Sequence, residues 1–255
     1  MGIFFAKYLI LGLIAVILAS CGTPPVEDPT KTLPADGILE LAREELNEDR
    51  YEAAIDLYKK LESRFPYGIV AEQAQLEVAY AYHKFNEPEL AVAAAERFIR
   101  LHPTHTRVDY AYYLKGIASY RERSGIMAQI SGTNDLSNRD PNPARIAYST
   151  FKEVVTRYPQ SPYTEDSRKR MVHLINVLAK HDISVARYYL SRGAYVAVVN
   201  RTKNILKEYD RTPAVEDALG LMAIAYREMG ITDLMADTVR ILRHNFPQSD
   251  YLRQL

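Results

Sequence analysis

DRYEAAIDLYKKLESRFP, residues 49–66, is answered at the same spacing by NEPELAVAAAERFIRLHP, residues 86–103, so that Pro66 and Pro103 stand 37 residues apart. Three further stretches carry the same order of residues: NPARIAYSTFKEVVTRYP (142–159), SRGAYVAVVNRTKNILKEYD (191–210) and ITDLMADTVRILRHNFP (231–247). Asp210 and Pro247 are again 37 apart. Each stretch places small side chains early and a large apolar residue a turn later, and four of the five end on proline. That order reads as an amphipathic helix halted by a residue that cannot donate a backbone hydrogen bond.

Recurrence at this period marks stacked helix pairs, and it lies close to the roughly 34-residue period of tetratricopeptide (TPR) repeats. From residue 35 onward the chain is therefore expected to be all-α, a TPR-like helix-turn-helix solenoid of about five repeats. Two helices of a pair cross closely only where small side chains meet, a role that falls to Ala42 against Ala54, Ala79 against Ala91, and Gly116 against Ala147. Tyr58, Phe98, Phe151 and Leu242 are the expected fillers of the space toward the next pair. Asn142-Pro143, Ser161-Pro162 and Thr212-Pro213 read as N-cap residues before a first-turn proline.

Two segments depart from the pattern. SGIMAQISGTNDLSNRDP (124–141) stands where a standard repeat has a short turn, and loops of that length inside compact repeats are often functional. PYTEDSRKRMVHLINVLAKHDISVARYYLSR (162–192) is an oversized first arm, either one long helix or two broken near His181-Asp182. It is expected to divide the solenoid into an N-terminal part, residues 35–160, and a C-terminal part, residues 161–255.

The N-terminus has a different grammar. Lys7 precedes the apolar run YLILGLIAVILAS, too short to span a bilayer comfortably and proportioned as an export signal. Leu18-Ala19-Ser20-Cys21 resembles the bacterial lipobox, which implies cleavage of residues 1–20 and an N-acylated, diacylglycerol-bearing Cys21; a signal anchor with an incidental cysteine is the competing reading. Gly22, in the position after the cysteine, resembles the enteric pattern of lipoproteins sent on to the outer membrane. Residues 21–34 carry four prolines and read as a lipidated, flexible tether. With its one cysteine lipidated, the chain has none left for a disulfide or a thiolate site.

The full chain balances 32 Lys+Arg against 32 Asp+Glu, and loss of residues 1–20 removes one lysine and no acid. Such a balance supplies no global drive toward nucleic acid. Asp135 to Asp140 lacks the alternation of a calcium loop. His102-x-x-His105 straddles Pro103 with no third ligand nearby, so it reads as turn chemistry and no metal site is expected. With no phosphate loop or serine elbow, the expected activity is binding: a non-catalytic scaffold without cofactors other than the Cys21 lipid. Its groove is expected to be lined by Arg43, Leu76, Tyr80, His83, Tyr110, Tyr113 and Tyr120 of the first helices, a tyrosine-rich face suited to extended aromatic peptides. Arg97 and Arg100, one turn apart, offer a positive rim, or simply a solvated helix face.

RFPYG (64–68), QLEVAYAYHK (75–84), RFIRLHPTH (97–105), NRDP (138–141) and RGAYVAVVNR (192–201), in that order behind a lipobox, resemble the BamD family of outer-membrane lipoproteins of the β-barrel assembly machinery. The resemblance implies a five-repeat solenoid on the periplasmic face of the outer membrane of a Gram-negative bacterium. It implies an N-terminal half that receives unfolded barrel proteins by their aromatic C-terminal strand. The C-terminal half is implied to bind the last POTRA domain of the insertase BamA and accessory Bam lipoproteins. Carried over, RFPYG gives Arg64, Phe65 and Tyr67 as substrate contacts beside Tyr80, Arg97, Arg100, Tyr110 and Tyr113. RGAYVAVVNR gives Arg192, Tyr195 and Arg201 as partner contacts, Tyr195 standing where tryptophan is usual. Phe65 reads equally as a repeat plug and Arg201 as an ion-pair partner on a helix; a charge reversal at Arg201 is expected to weaken partner association and leave the helices intact. A TPR lipoprotein that scaffolds cell-wall synthesis or division enzymes, and a periplasmic hydrolase, stay open as other readings of the same repeats.

Overall fold

The computed structural model describes Asp28, residues 30–120 and residues 140–255. Cys21, the export signal, most of the tether and all of the insertion up to residue 139 lie outside these residues. The described residues form helices α1 (Ala35–Asn47), α2 (Tyr51–Arg64), α3 (Ile69–Lys84), α4 (Pro88–Leu101), α5 (Val108–Ser119), α6 (Asn142–Arg157), α7 (Thr164–Ser191), α8 (Tyr195–Glu208), α9 (Ala214–Glu228) and α10 (Thr232–Asn245), closed by a 3-10 turn at Asp250–Arg253. Consecutive helices pack as antiparallel pairs, and the first helices also touch across repeats, α1 with α3, α3 with α5 and α7 with α9. First helices therefore form the inner wall of an all-α solenoid of helix pairs, as the recurring phrases predict.

The turn inside a pair repeats as strictly as the phrases do. Asp49, Asn86, Gly193 and Gly230 all have φ between 59 and 71°. In each turn the N–H of this residue bonds three residues back and the next N–H five residues back: Arg50 to Glu45 O at 2.9 Å, Glu87 to Tyr82 O at 2.9 Å, Ala194 to Tyr189 O at 3.0 Å and Ile231 to Tyr226 O at 3.0 Å. This is the Schellman closure, which satisfies orphan carbonyls and reverses the chain within three residues.

Between pairs the stop is as regular. Phe65, His102, Tyr158, Tyr209 and Phe246 cap their helices with φ between −127 and −134°, and each N–H still reaches four residues back. In four of the five a proline follows, and its ring excludes the helical conformation from the residue before it. The accepting carbonyls belong to Leu61, Phe98, Val154, Ile205 and Leu242, all fully buried. One turn of helix thus fixes both the stop and the deepest core side chain of each repeat.

Ala42, Ala54, Ala79, Ala91 and Ala147 are wholly buried, and so, to within 2 %, are Tyr58, Phe98, Phe151 and Leu242. Each filler of that size is worth about 2–3 kcal/mol in area removed from water. Gly116 turns out to serve Phe151 as much as Ala147: a Cβ there would lie 2.6 Å from Phe151 Cε1. The expected caps are not made. α6 begins at Asn142 itself, α7 at Thr164 and α9 at Ala214, and none of these N-termini has a side-chain cap bond. The Thr212 hydroxyl instead donates back to Tyr209 O at 2.8 Å, and Ser161 Oγ accepts from the Tyr163 N–H at 3.2 Å, so these side chains serve the turn that precedes the helix.

α7 is one unbroken helix of 28 residues, about 42 Å long. Its N-terminal half packs Leu174 and Leu178 against Ala147 and Phe151, and its C-terminal half packs Ala179, Ile183 and Ala186 against α8 and α9. A single element therefore joins the core packed on α6 to the core packed on α8 and α9. Asp182 does not break it because Arg201 Nη1 and Asn204 Nδ2 of α8 reach its two carboxylate oxygens at 3.1 and 3.2 Å.

Candidate functional site

Arg64 ends α2, and its guanidinium turns onto the strip that leads into α1. It donates to the carbonyls of Thr30, Lys31 (3.1 Å) and Leu33 (3.4 Å) and lies over the Phe65 ring at 5.2 Å. Asp28 fastens the same strip, accepting from the Thr30 hydroxyl at 2.7 Å and its N–H at 3.0 Å and pairing with Lys60 at 3.1 Å. These bonds, the Thr30 hydroxyl first, hold the Asp28 carboxyl down at about 2. Phe65 is half-buried against the first repeat's core. Tyr67 is the exposed member of the motif, 90 % accessible, and Ile69 two residues on is 80 % accessible. Gly68 between them has φ of 98°, a conformation that a side chain would strain.

Arg97 pairs with Glu62 of α2, which also accepts from Gln75 at 3.2 Å. Gln75 in turn meets His102 Nε2 at 2.8 Å. His102 and His105 pack on Phe98 with ring centroids 5.1 Å away, and His105 Nδ1 accepts from the Arg107 N–H at 3.0 Å. The His-x-x-His pair thus organises the α4–α5 turn, and among the described residues no group of side chains is arranged to hold a metal ion. Arg100 is exposed on the same helix.

The expected groove lining is only partly a lining. Leu76 is buried against Phe98 and Ala111, because its position on α3 faces the second helix. Arg43 is engaged in a bidentate bond to Glu77 at 2.8 and 3.0 Å, a carboxylate that also accepts from Tyr58 at 3.0 Å and Gln73 at 3.1 Å. Tyr80 is half-buried beside Ala79, Ala95 and Leu114. His83 is half-buried on α3, and Tyr120 lies with its ring 6.2 Å from His173.

Tyr110 and Tyr113 converge on Tyr163, at 5.2 and 4.7 Å between centroids, the second pair nearly parallel. Tyr113 also donates to Asp166 Oδ2 at 2.8 Å, and Arg170 lies over its ring at 6.0 Å. Burial, reinforced by the bond to Asp166, raises the Tyr113 hydroxyl above its ordinary range; burial, opposing the donated bonds from Arg170 and Tyr113, still leaves Asp166 below its own. Tyr163 is the residue that sequence reasoning missed. It precedes α7 in a turn, where no helical period announces it. The signal available was SPY at 161–163, a turn ending on an aromatic.

Arg192 caps α7 and lies over the Tyr188 ring at 5.4 Å, both residues exposed. Tyr195 starts α8 and packs on the C-terminal core. Arg201 is one-third exposed and bound to the fully buried Asp182. The three residues of this one phrase are therefore not equivalent: one is a surface cation, one packs, and one neutralises a buried charge.

A family model described as outer membrane lipoprotein, YfiO, matches residues 32–242. The chain is 42% identical over 250 residues to the outer membrane protein assembly factor BamD of Neisseria meningitidis serogroup A, covering 96% of this chain and 93% of that protein. It is 36% identical over 241 residues to the protein of the same name from Vibrio cholerae, covering 94% of this chain and 99% of that one. The crystal structure of MamA protein aligns with 82% of this chain and 90% of its own at 14% identity, with a TM-score of 0.35. No helix among the described residues is long and apolar enough to cross a membrane. By the family match and these relatives, the chain belongs to the YfiO family of outer membrane lipoproteins, the family of the assembly factor BamD.

Proposed function

We propose that this protein is a non-catalytic assembly factor for outer-membrane β-barrel proteins, anchored by lipid on Cys21. Several acyl chains at ~0.8 kcal/mol per buried methylene make a stable anchor where one would be marginal. The N-terminal part, residues 35–160, receives the aromatic C-terminal strand of an unfolded barrel. The C-terminal part, residues 161–255, binds the last POTRA domain of BamA and accessory Bam lipoproteins. The observation that carries this reading is the near-full-length similarity to BamD assembly factors.

Within this reading the residues divide by their exposure. Tyr67 and Arg100 are the candidates with free surface, Tyr67 offering an aromatic face and Arg100 a charge. Arg64 and Arg97 act one step removed, through the strip and the carboxylate they hold. Tyr110 and Tyr113 form the joint between the two parts, so that a client pressed on the inner wall acts on α7. For BamA, Arg192 is the contact, with Tyr195 beneath it.

A photo-crosslinker at position 67, offered a peptide copy of a barrel's last strand, tests the receptor reading. A crosslink stronger than to a scrambled peptide, and weakened by Arg100→Glu, is expected; none above the scrambled control overturns it. Recovery of peptidoglycan synthases and no BamA through Arg192 would replace the assembly reading by the cell-wall scaffold.

A further inference from the structure

Inside the solenoid each first helix seats on the second helix before it through three positions spaced four and three residues apart. On α3 these are Ala74, Val78 and Ala81, and on α9 Ala218, Met222 and Ala225, all buried. On α5 the central residue is Lys115, which keeps the seat by pairing with Glu96 of α4 at 2.7 Å. Residues 37 earlier than the α3 set are Gly37, Leu41 and Glu44 on α1. Among the described residues no second helix lies on them, and they line an open cleft of about 650 Å³ with Leu33, Glu40 and Glu48.

The opposite end of the solenoid is treated differently. There Tyr251 lies flat on Gly220 of α9, with its hydroxyl 2.6 Å from Asp217 Oδ1, and Arg227 Nη1 donates to Gln254 O at 2.7 Å. At this end the chain covers an outer face of α9 with its own aromatic residue, whereas among the described residues the α1 seat is left lined by Leu33 and Leu41. The rim of that first seat is acidic. Arg43 directs its bidentate bond to Glu77 and stands 3.9 Å from Glu40, while Glu44 projects into solvent.

We propose that Gly37, Leu41 and Glu44 form a docking site for a basic amphipathic helix of a partner protein, taken up in the place that α2, α4 and α8 occupy inside the solenoid. Gly37 and Leu41 repeat the small-then-large pattern that receives such a helix, so the apolar stripe of the guest falls on them. Lysines or arginines flanking that stripe meet Glu40 and Glu44, as Lys115 meets Glu96 with the signs exchanged, while Glu48 is already paired with Arg50. The pattern is the helix-in-groove mode of recognition, with its register set by the repeat.

The probe is a fluorescent peptide copying residues 191–210, the basic second helix of this same chain, with Arg192, Arg201, Lys203 and Lys207 against Glu208 and Asp210. Anisotropy against the mature chain should give saturable binding, at least tenfold weaker in Glu40→Lys/Glu44→Lys and weakened by salt of about 0.5 M. Leu41→Asp should abolish it, and the exposed glutamate pair keeps the test informative if Leu41→Asp unfolds. A scrambled peptide of the same composition should not bind. No saturable binding, or binding indifferent to the glutamates, overturns the site. Sedimentation showing a dimer lost in Glu44→Lys would overturn it in favour of a second copy as occupant.

Discussion

Tyr113 on α5 donates its hydroxyl proton to Asp166 on α7 across 2.8 Å, while its ring stacks on Tyr163 from the turn between α6 and α7. α5 is thus tied to the start of α7 by a phenol that uses both its face and its oxygen, with Tyr110 packed on the same Tyr163 ring. Tyr113→Phe keeps the stack and removes the bond, and should cost about 1 kcal/mol. A double-mutant cycle with Asp166→Asn by urea denaturation should return a coupling of about 0.5–1.5 kcal/mol. Additive losses would show that the stack alone makes the joint.

Arg201 sits on Asp182, a carboxylate with no exposed surface. Reversing its charge therefore does more than alter a contact surface: it leaves a buried anion facing another. Arg201→Glu should destabilise the fold by about 2–4 kcal/mol, below the range for a fully buried pair because Arg201 is partly solvated. Asp182→Asn in the same chain should restore much of that loss in a thermal melt. If Arg201→Glu melts like the parent and loses only its partner, the arginine is a surface contact after all.

Two glycines are held by aromatic rings. Gly116→Ala drives a methyl into Phe151 and Gly220→Ala into Tyr251. Overpacking of this kind costs about 1–3 kcal/mol, more than the roughly 1 kcal/mol that alanine returns to a helix interior. Gly116→Ala should lower the melting temperature. Gly220→Ala should release the C-terminal turn, seen as faster amide exchange at Tyr251 and Leu252 with the inner repeats unchanged.

Asp28 predicts an acid-sensitive strap. Its carboxyl is depressed from its ordinary 3.8 to about 2, so its contribution is present above the unfolded value. It is lost as pH falls from about 4 toward 2. NMR titration should place the Asp28 midpoint well below the ordinary aspartate value of 3.8, and Asp28→Ala, which removes the acceptor, should free the Thr30 amide to exchange at neutral pH. An unshifted midpoint would mean that the strip is not fastened by this residue.

Phrases such as RFIRLHP made the period, the helix pairs and the deepest core legible, because small residues, fillers and prolines each leave a one-letter mark. The turns were less legible. Asp49, Asn86, Gly193 and Gly230 share one conformation across three residue types, and the recurring ring residue at the end of each second helix reads as a core residue until its backbone is seen to stop the helix. Thr212 and Ser161 carry the pattern of helix caps, but their hydroxyls serve the preceding turn. Leu76 shares the period of the groove residues yet is buried, because a one-helix period cannot tell the face toward the second helix from the face toward the interior.

The sequence by itself determined the all-α class, the repeat, the Cys21 motif and the family, since each depends on residue order at fixed spacing. Only the tertiary structure decided which arginines are free. Arg64, Arg97 and Arg201 find their partners 31 to 35 and 19 residues away, on another helix or on the strip before α1, and no local pattern carries that information. It also decided that Tyr110 and Tyr113 tie α5 to the start of α7, because the residue that receives them, Tyr163, comes close only when α6 packs back against α5 and brings the following turn with it.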